Sequence, residues 1–104
     1  MSIIGTELKL NVRVEPMNGI HLAQCNFECE FFRRGNKSNG VIVAKDVMIK
    51  IDDDNYIARI NSQDIGVGPV MMTITVHVPD PDFDDGYRTE RDTVWTGVTI
   101  KPDA

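Results

Sequence analysis

Asp80, Asp82 and Asp84 occupy every other position in the stretch "VPDPDFDDGYR" (Val78 to Arg88), with Asp85 beside them and Gly86 next. Alternating carboxylates in a short loop can supply several of the six to eight oxygens that calcium takes. Asp80, Asp82 and Asp84 fit positions 1, 3 and 5 of a helix-flanked calcium loop. The fit then fails: Asp85 stands where the loop needs glycine, Arg91 where it needs a bidentate glutamate, and the flanking segments read as strands. A different calcium geometry, with Asp54 or Glu90 joining from elsewhere, stays open on sequence alone. Paired-carboxylate catalysis needs a cleft and a raised pKa, which an exposed loop does not provide. The expected role is structural: Pro79 and Pro81 stop a strand, the aspartates keep the crossing solvated, Phe83 tucks back onto the core, and Gly86 supplies a positive φ.

Other residue types that do chemistry lack the necessary company. Ser2, Ser38 and Ser62 lie in no glycine-rich elbow, and neither His21 nor His77 has a nucleophile or second histidine at catalytic or metal-binding spacing. Both histidines are expected to be surface or hydrogen-bonded residues. Cys25 and Cys29 fall on one face of a single expected strand. At about 3.4 Å per residue their Cα atoms stand about 13 Å apart, too far for a disulfide. They are expected as reduced core thiols, since an isolated C-x3-C is a weak metal signal. The sequence therefore assigns no catalytic residue, no cofactor and no metal ligand. Trp95 is the remaining candidate: burial under a neighbouring strand or in a subunit contact is expected, with an exposed ligand platform as the alternative. Tyr56 and Tyr87 are expected at sheet corners.

The elements that must position these residues follow a period of two. Val70, Met72, Ile74, Val76 and Val78 alternate with Met71, Thr73, Thr75 and His77, as a half-buried strand requires. Leu8, Leu10, Val12 and Val14 alternate with Glu7, Lys9, Asn11 and Arg13. Ala23, Cys25, Phe27, Cys29 and Phe31 share a face in "HLAQCNFECEFF", and Val94, Thr96, Val98 and Ile100 share one near the end. Shorter strands are expected at Gly40 to Ala44, Val47 to Ile51 and Tyr56 to Ile60. Turn chemistry separates them in "EPMNG", "RGNKSNG", "DDDN" and "GVGP". No segment of ten or more residues has helical periodicity. About seven strands in 104 residues predict one all-β domain, an antiparallel β-sandwich of immunoglobulin-like size.

Composition narrows the function. A net charge of −5 and a pI near 4.8 disfavour nucleic acid as a partner, because binding it requires a positive surface. The cluster Arg33, Arg34 and Lys37 reads as a solvated hairpin loop. The N-terminal residues show no basic segment followed by an apolar one, so no signal peptide is expected, and no apolar run reaches the roughly 20 residues of a membrane span.

The stretch "DDNYIARINSQDIGVGPVMMTITVHVPDPDFDDGYRTERDTVWTGVTI" resembles the immunoglobulin-like N-terminal module of phage baseplate upper proteins and related small tail modules of phages of Bacteroidales. The resemblance is carried by Tyr56 to Arg59, the Gly66 to Gly68 turn, the acidic crossover and Thr96 to Ile100; the "C-x-F-x-C-x-F-F" strand extends it toward the N-terminus. It implies a non-enzymatic building block of a phage or prophage tail, assembled in the host cytoplasm into a virion. Other tail or baseplate proteins, or further copies of itself, would be its partners. It implies no catalytic or binding residues. In that family the module heads a longer polypeptide, whereas Ala104 follows the last expected strand closely, so either a stand-alone adaptor or a module working through non-covalent partners is expected. The alternative is a carbohydrate-binding or adhesive β-sandwich, with Trp95 or Tyr87 stacking on sugar rings.

Overall fold

In the computed structural model, residues 2–13 and 20–103 are described. Val14 and the "EPMNG" turn lie outside the described residues. The described residues form eight strands: β1 (Ser2–Ile3), β2 (Glu7–Arg13), β3 (Asn26–Arg33), β4 (Asn36–Ala44), β5 (Ile49–Lys50), β6 (Asn55–Asn61), β7 (Gly68–Pro79) and β8 (Tyr87–Lys101). A single helical turn, α1 (Ser62–Ile65), links β6 to β7, and 3-10 turns occupy Leu22–Gln24 and Lys45–Val47. The strands make two sheets, ordered β1-β8-β7-β3-β4 and β2-β6-β5. All pairings are antiparallel except β1 on the end of β8. This is the all-β sandwich that the alternation predicts.

The core lies between the sheets and is built from the alternating sets. Leu8, Leu10 and Val12 of β2 pair with Ile60, Ala58 and Tyr56 of β6. They face Phe27, Cys29 and Phe31 of β3 and Val70, Met72, Ile74, Val76 and Val78 of β7. Phe27 meets Tyr56 edge-on, with ring centroids 5.0 Å apart. Tyr56 is thus a core residue and not a corner residue. Such edge-to-face pairs add about 0.5–1.5 kcal/mol beyond the area they bury.

Several boundaries differ from the sequence reading, each for a local reason. Leu22–Gln24 is a 3-10 turn, so β3 begins only at Asn26; His21 accepts the turn's geometry with its amide bonded to Gln24 Oε1 at 2.8 Å. The hairpin after β3 is tight: Arg33 pairs with Asn36, and Gly35 takes φ of 83°. The expected solvated loop "RGNKSNG" is therefore mostly strand, and β4 starts at Asn36. Val47 belongs to a 3-10 turn, leaving β5 only two residues. The eighth strand, β1, is too short to show a period. Ser62, fully buried at the start of α1, is anchored to the β1–β2 turn through its amide on Thr6 O at 2.9 Å and its hydroxyl on Ile3 O at 3.3 Å.

Lys45 closes the end of the five-stranded sheet. Its ammonium donates to Ala23 O at 2.8 Å and to Cys25 O at 2.6 Å, and stands 5.7 Å from the centre of the Phe27 ring. One side chain thereby satisfies two carbonyls that the 3-10 turn leaves without strand partners.

Candidate functional site

The acidic crossover is a self-contained turn. Asp80 N bonds Gly86 O at 2.8 Å and Gly86 N bonds Phe83 O at 2.9 Å. Asp80 Oδ1 accepts from the Asp82 amide and Asp85 Oδ1 from the Tyr87 amide, each at 3.0 Å. Arg88 reaches Asp80 at 3.4 Å and lies 3.3 Å from Glu90, the latter at ion-pair distance without hydrogen-bond alignment. Asp80 and Asp85 are thus committed to shaping the turn, while Asp82 and Asp84 are exposed. The two other acids considered for calcium are engaged elsewhere: Glu90 beside Arg88, and Asp54 with His21. Among the described residues no group of three or more His, Cys, Asp or Glu could hold a metal ion. Phe83 is about half exposed and does not tuck onto the core, because the turn projects past the end of β3, whose Asn26 pairs with His77.

The two histidines lie on different elements, His21 before the first 3-10 turn and His77 on β7. His21 Nδ1 bonds the Asp54 carboxylate at 3.0 Å, and Asp54 Oδ1 also accepts the Leu22 amide at 3.2 Å. The hydrogen bond and the charge of Asp54 raise the His21 pKa above its usual 6.5. His77 Nδ1 is 3.1 Å from the Thr89 hydroxyl on the adjacent strand. Cys25 and Cys29 are free and buried. Burial pushes the Cys29 thiol up to about 12, and burial also raises Cys25, against the pull of Lys45. Neither thiol is primed as a nucleophile, which would need a lowered pKa.

Strand β8 is where the molecule departs from a closed sandwich. Arg88, Glu90, Asp92 and Val94 pair with Val78, Val76, Ile74 and Met72, so they share the inward face of the sheet. Along that face Arg88 and Glu90 are half-buried, and Asp92 and Val94 are exposed. The opposite face of β8 carries Thr89, Arg91, Thr93 and Trp95. Trp95 is 53% exposed, which overturns the expected burial under a neighbouring strand. It ends a row across three strands, opposite Met71, which is itself opposite Phe32. Beside this row, Thr73 and Thr93 share a hydroxyl bond of 2.8 Å, and Arg91 Nε donates to the Thr75 hydroxyl at 3.1 Å. A shallow depression there is lined by Glu28, Glu30, Ile42, Thr73, Thr75 and Arg91.

A bulge ends the regular part of β8. Trp95 pairs with Met71 and Thr99 with Pro69, so Thr96, Gly97 and Val98 stand opposite Val70 alone. Gly97 takes φ of 84°, a conformation that costs other residues about 1–2 kcal/mol. Side chains satisfy the interrupted ladder: Thr96 Oγ1 donates to Val70 O at 2.9 Å and Trp95 Nε1 to Val98 O at 3.2 Å. β1 pairs only with Ile100 and Lys101, beyond the bulge. From Tyr87 to Trp95, β8 has β7 on one side and, among the described residues, no strand on the other. A glycine inside an alternating strand was the one sequence signal for this bulge.

The sequence matches no known family model, and no curated protein or solved structure is significantly similar to it. Among the described residues, no helix is long and apolar enough to cross a membrane.

Proposed function

We propose that this chain is a non-enzymatic structural module that docks onto other proteins through the open side of β8, as a building block of a phage or prophage tail or baseplate. The observation that carries docking is the combination on one strand of an edge that no described strand pairs with and exposed Val94, Trp95 and Tyr87. An unpaired strand is a template for strand addition, and monomers that expose one usually blunt it. The tail assignment rests on the resemblance in the strand and turn signatures, and with it the expectation of assembly in the host cytoplasm and residence in the virion. Mass spectrometry of purified phage-like particles from an induced culture of the source organism tests it. Peptides of this chain at a stoichiometry set by tail symmetry are expected; intact tails without them would remove the tail assignment.

A second reading is supported by the exposed Trp95 ring beside the polar depression of Thr73, Thr75, Glu28 and Arg91. An aromatic plane next to hydrogen-bonding groups suits a sugar ring. Quenching or shift of Trp95 fluorescence by glycans in the monomer would favour this carbohydrate-binding reading over docking.

A further inference from the structure

We infer that the open edge of β8 is closed by a second copy of this chain, antiparallel to the first about a two-fold axis at Thr93, so that the two five-stranded sheets run into one. This rests on the docking reading and names its partner.

The register follows from charge and from where β8 stops being regular. In an antiparallel pair related by a two-fold axis through the sheet, residues equidistant from the axis lie opposite each other on the same face. The regular edge extends from Tyr87, at the end of the acidic turn, to Trp95, at the start of the bulge. An axis at Arg88 sets Arg88 against its counterpart. Axes at Glu90, Arg91 and Asp92 likewise set like charges against each other, and the Arg91 axis also opposes Glu90 to Asp92. Like charges directly opposite are destabilising. Two axes remain that give five residue pairs within the regular edge, at Thr89 and at Thr93.

The Thr89 axis leaves Val94 and Trp95 uncovered and brings each acidic turn alongside the other copy's Asp92 to Trp95. The Thr93 axis sets Thr93 against Thr93 and each Arg91 against the other copy's Trp95, a cation over an exposed aromatic ring. Val94 enters the same interface. The bulge at Thr96 to Val98 then ends the pairing on both sides, as bulges at sheet edges do. Charge permits the approach: Arg88 and Arg91 balance Glu90 and Asp92 along the strand, in a chain whose net charge is −5. Among the other described edges, β5 has two residues, the outer face of β2 carries Glu7, Lys9 and Arg13, and β4, at the far end of the five-stranded sheet, has α1 packed against it.

Sedimentation and light scattering of the intact chain, with Thr93→Cys and Thr89→Cys variants under mild oxidation, test this. The expected result is a dimer whose dissociation constant rises about tenfold or more in Trp95→Ala, and a disulfide-linked dimer from Thr93→Cys but not from Thr89→Cys. Cα atoms directly opposite across strands lie about 4.5–5.5 Å apart, within disulfide reach. A wild-type chain that stays monomeric at millimolar concentration overturns the inference, as does faster linkage through Cys at position 89. A monomer still found in tail particles would sink self-pairing and keep docking. A Thr93-linked dimer in a chain missing from tails would keep self-pairing and sink the tail assignment.

Discussion

β7 and β8 are partners along almost their whole length, yet they live in different environments. On β7, Val70, Met72, Ile74, Val76 and Val78 are buried by the opposing sheet, and even the outward Thr73 and Thr75 are covered by their neighbours. On β8, only Ile100 is buried. The difference arises because a sheet of three strands faces a sheet of five. Where the cover runs out, the inward positions change from aliphatic to charged: Ile74 is opposite Asp92, and Val76 is opposite Glu90. Hydrogen bonding alone therefore does not make a core strand; the layer above it does.

The sharpest way to break the comparison is to truncate both members of one cross-strand pair. Ile74→Ala removes a buried side chain and is expected to cost about 2–5 kcal/mol in urea denaturation. Asp92→Ala, directly opposite, should stay within about 0.5 kcal/mol of wild type. Similar losses at the two positions would mean that β8 is covered after all.

Lys45→Met comes next, with an expected cost of about 1–3 kcal/mol for leaving the Ala23 and Cys25 carbonyls without their donor. The same measurement reads it. A neutral result would show that water replaces the ammonium there. Trp95→Ala should change the stability of the monomer by about 0.5 kcal/mol or less, because its ring is outside the core. A larger loss would point to a packing role for the ring against the bulge.

Two smaller effects sharpen the contrast between covered and uncovered groups. Cys29, with its thiol pushed up to about 12, should resist alkylation in the native protein and react on unfolding; rapid native labelling would mean the sheets part easily. His21 has a raised pKa, so its contact with Asp54 contributes stability fully below the ordinary value of 6.5 and loses it as pH rises through the folded-state value. Denaturation curves across that range should show a small decline for wild type that Asp54→Asn abolishes. An unchanged profile in Asp54→Asn would separate His21 from the pH dependence.

The strands of the covered core were legible because one inward face alternates strictly with one outward face, as in Val70 to Val78 and Leu8 to Val12. The same rule left Val94 undecided: it lies opposite Met72 on the inward face, yet is exposed. Alternation reports which residues share a face, and not whether another sheet covers that face. Phe83 failed for a related reason, since an apolar residue in a turn packs inward only if core lies beneath it. In the acidic turn, the positive φ expected of Gly86 is present, at 80°. What sequence could not supply was the open edge of β8, because edge status depends on strand order and is set by pairings between distant segments.

The parallel contact of β1 with β8 has a consequence for how the chain is made. Ser2 is held by Ile100, so the first of the described strands pairs with the last of them. Ser62, held to the turn after β1, depends on the same closure. A contact spanning nearly the whole chain is slow to form, because the loop entropy is spent before the contact repays it. On the ribosome, β1 must wait until the end of β8 has emerged. The last step of folding is therefore expected to be the joining of β1 to the end of β8, with the sandwich already assembled between them.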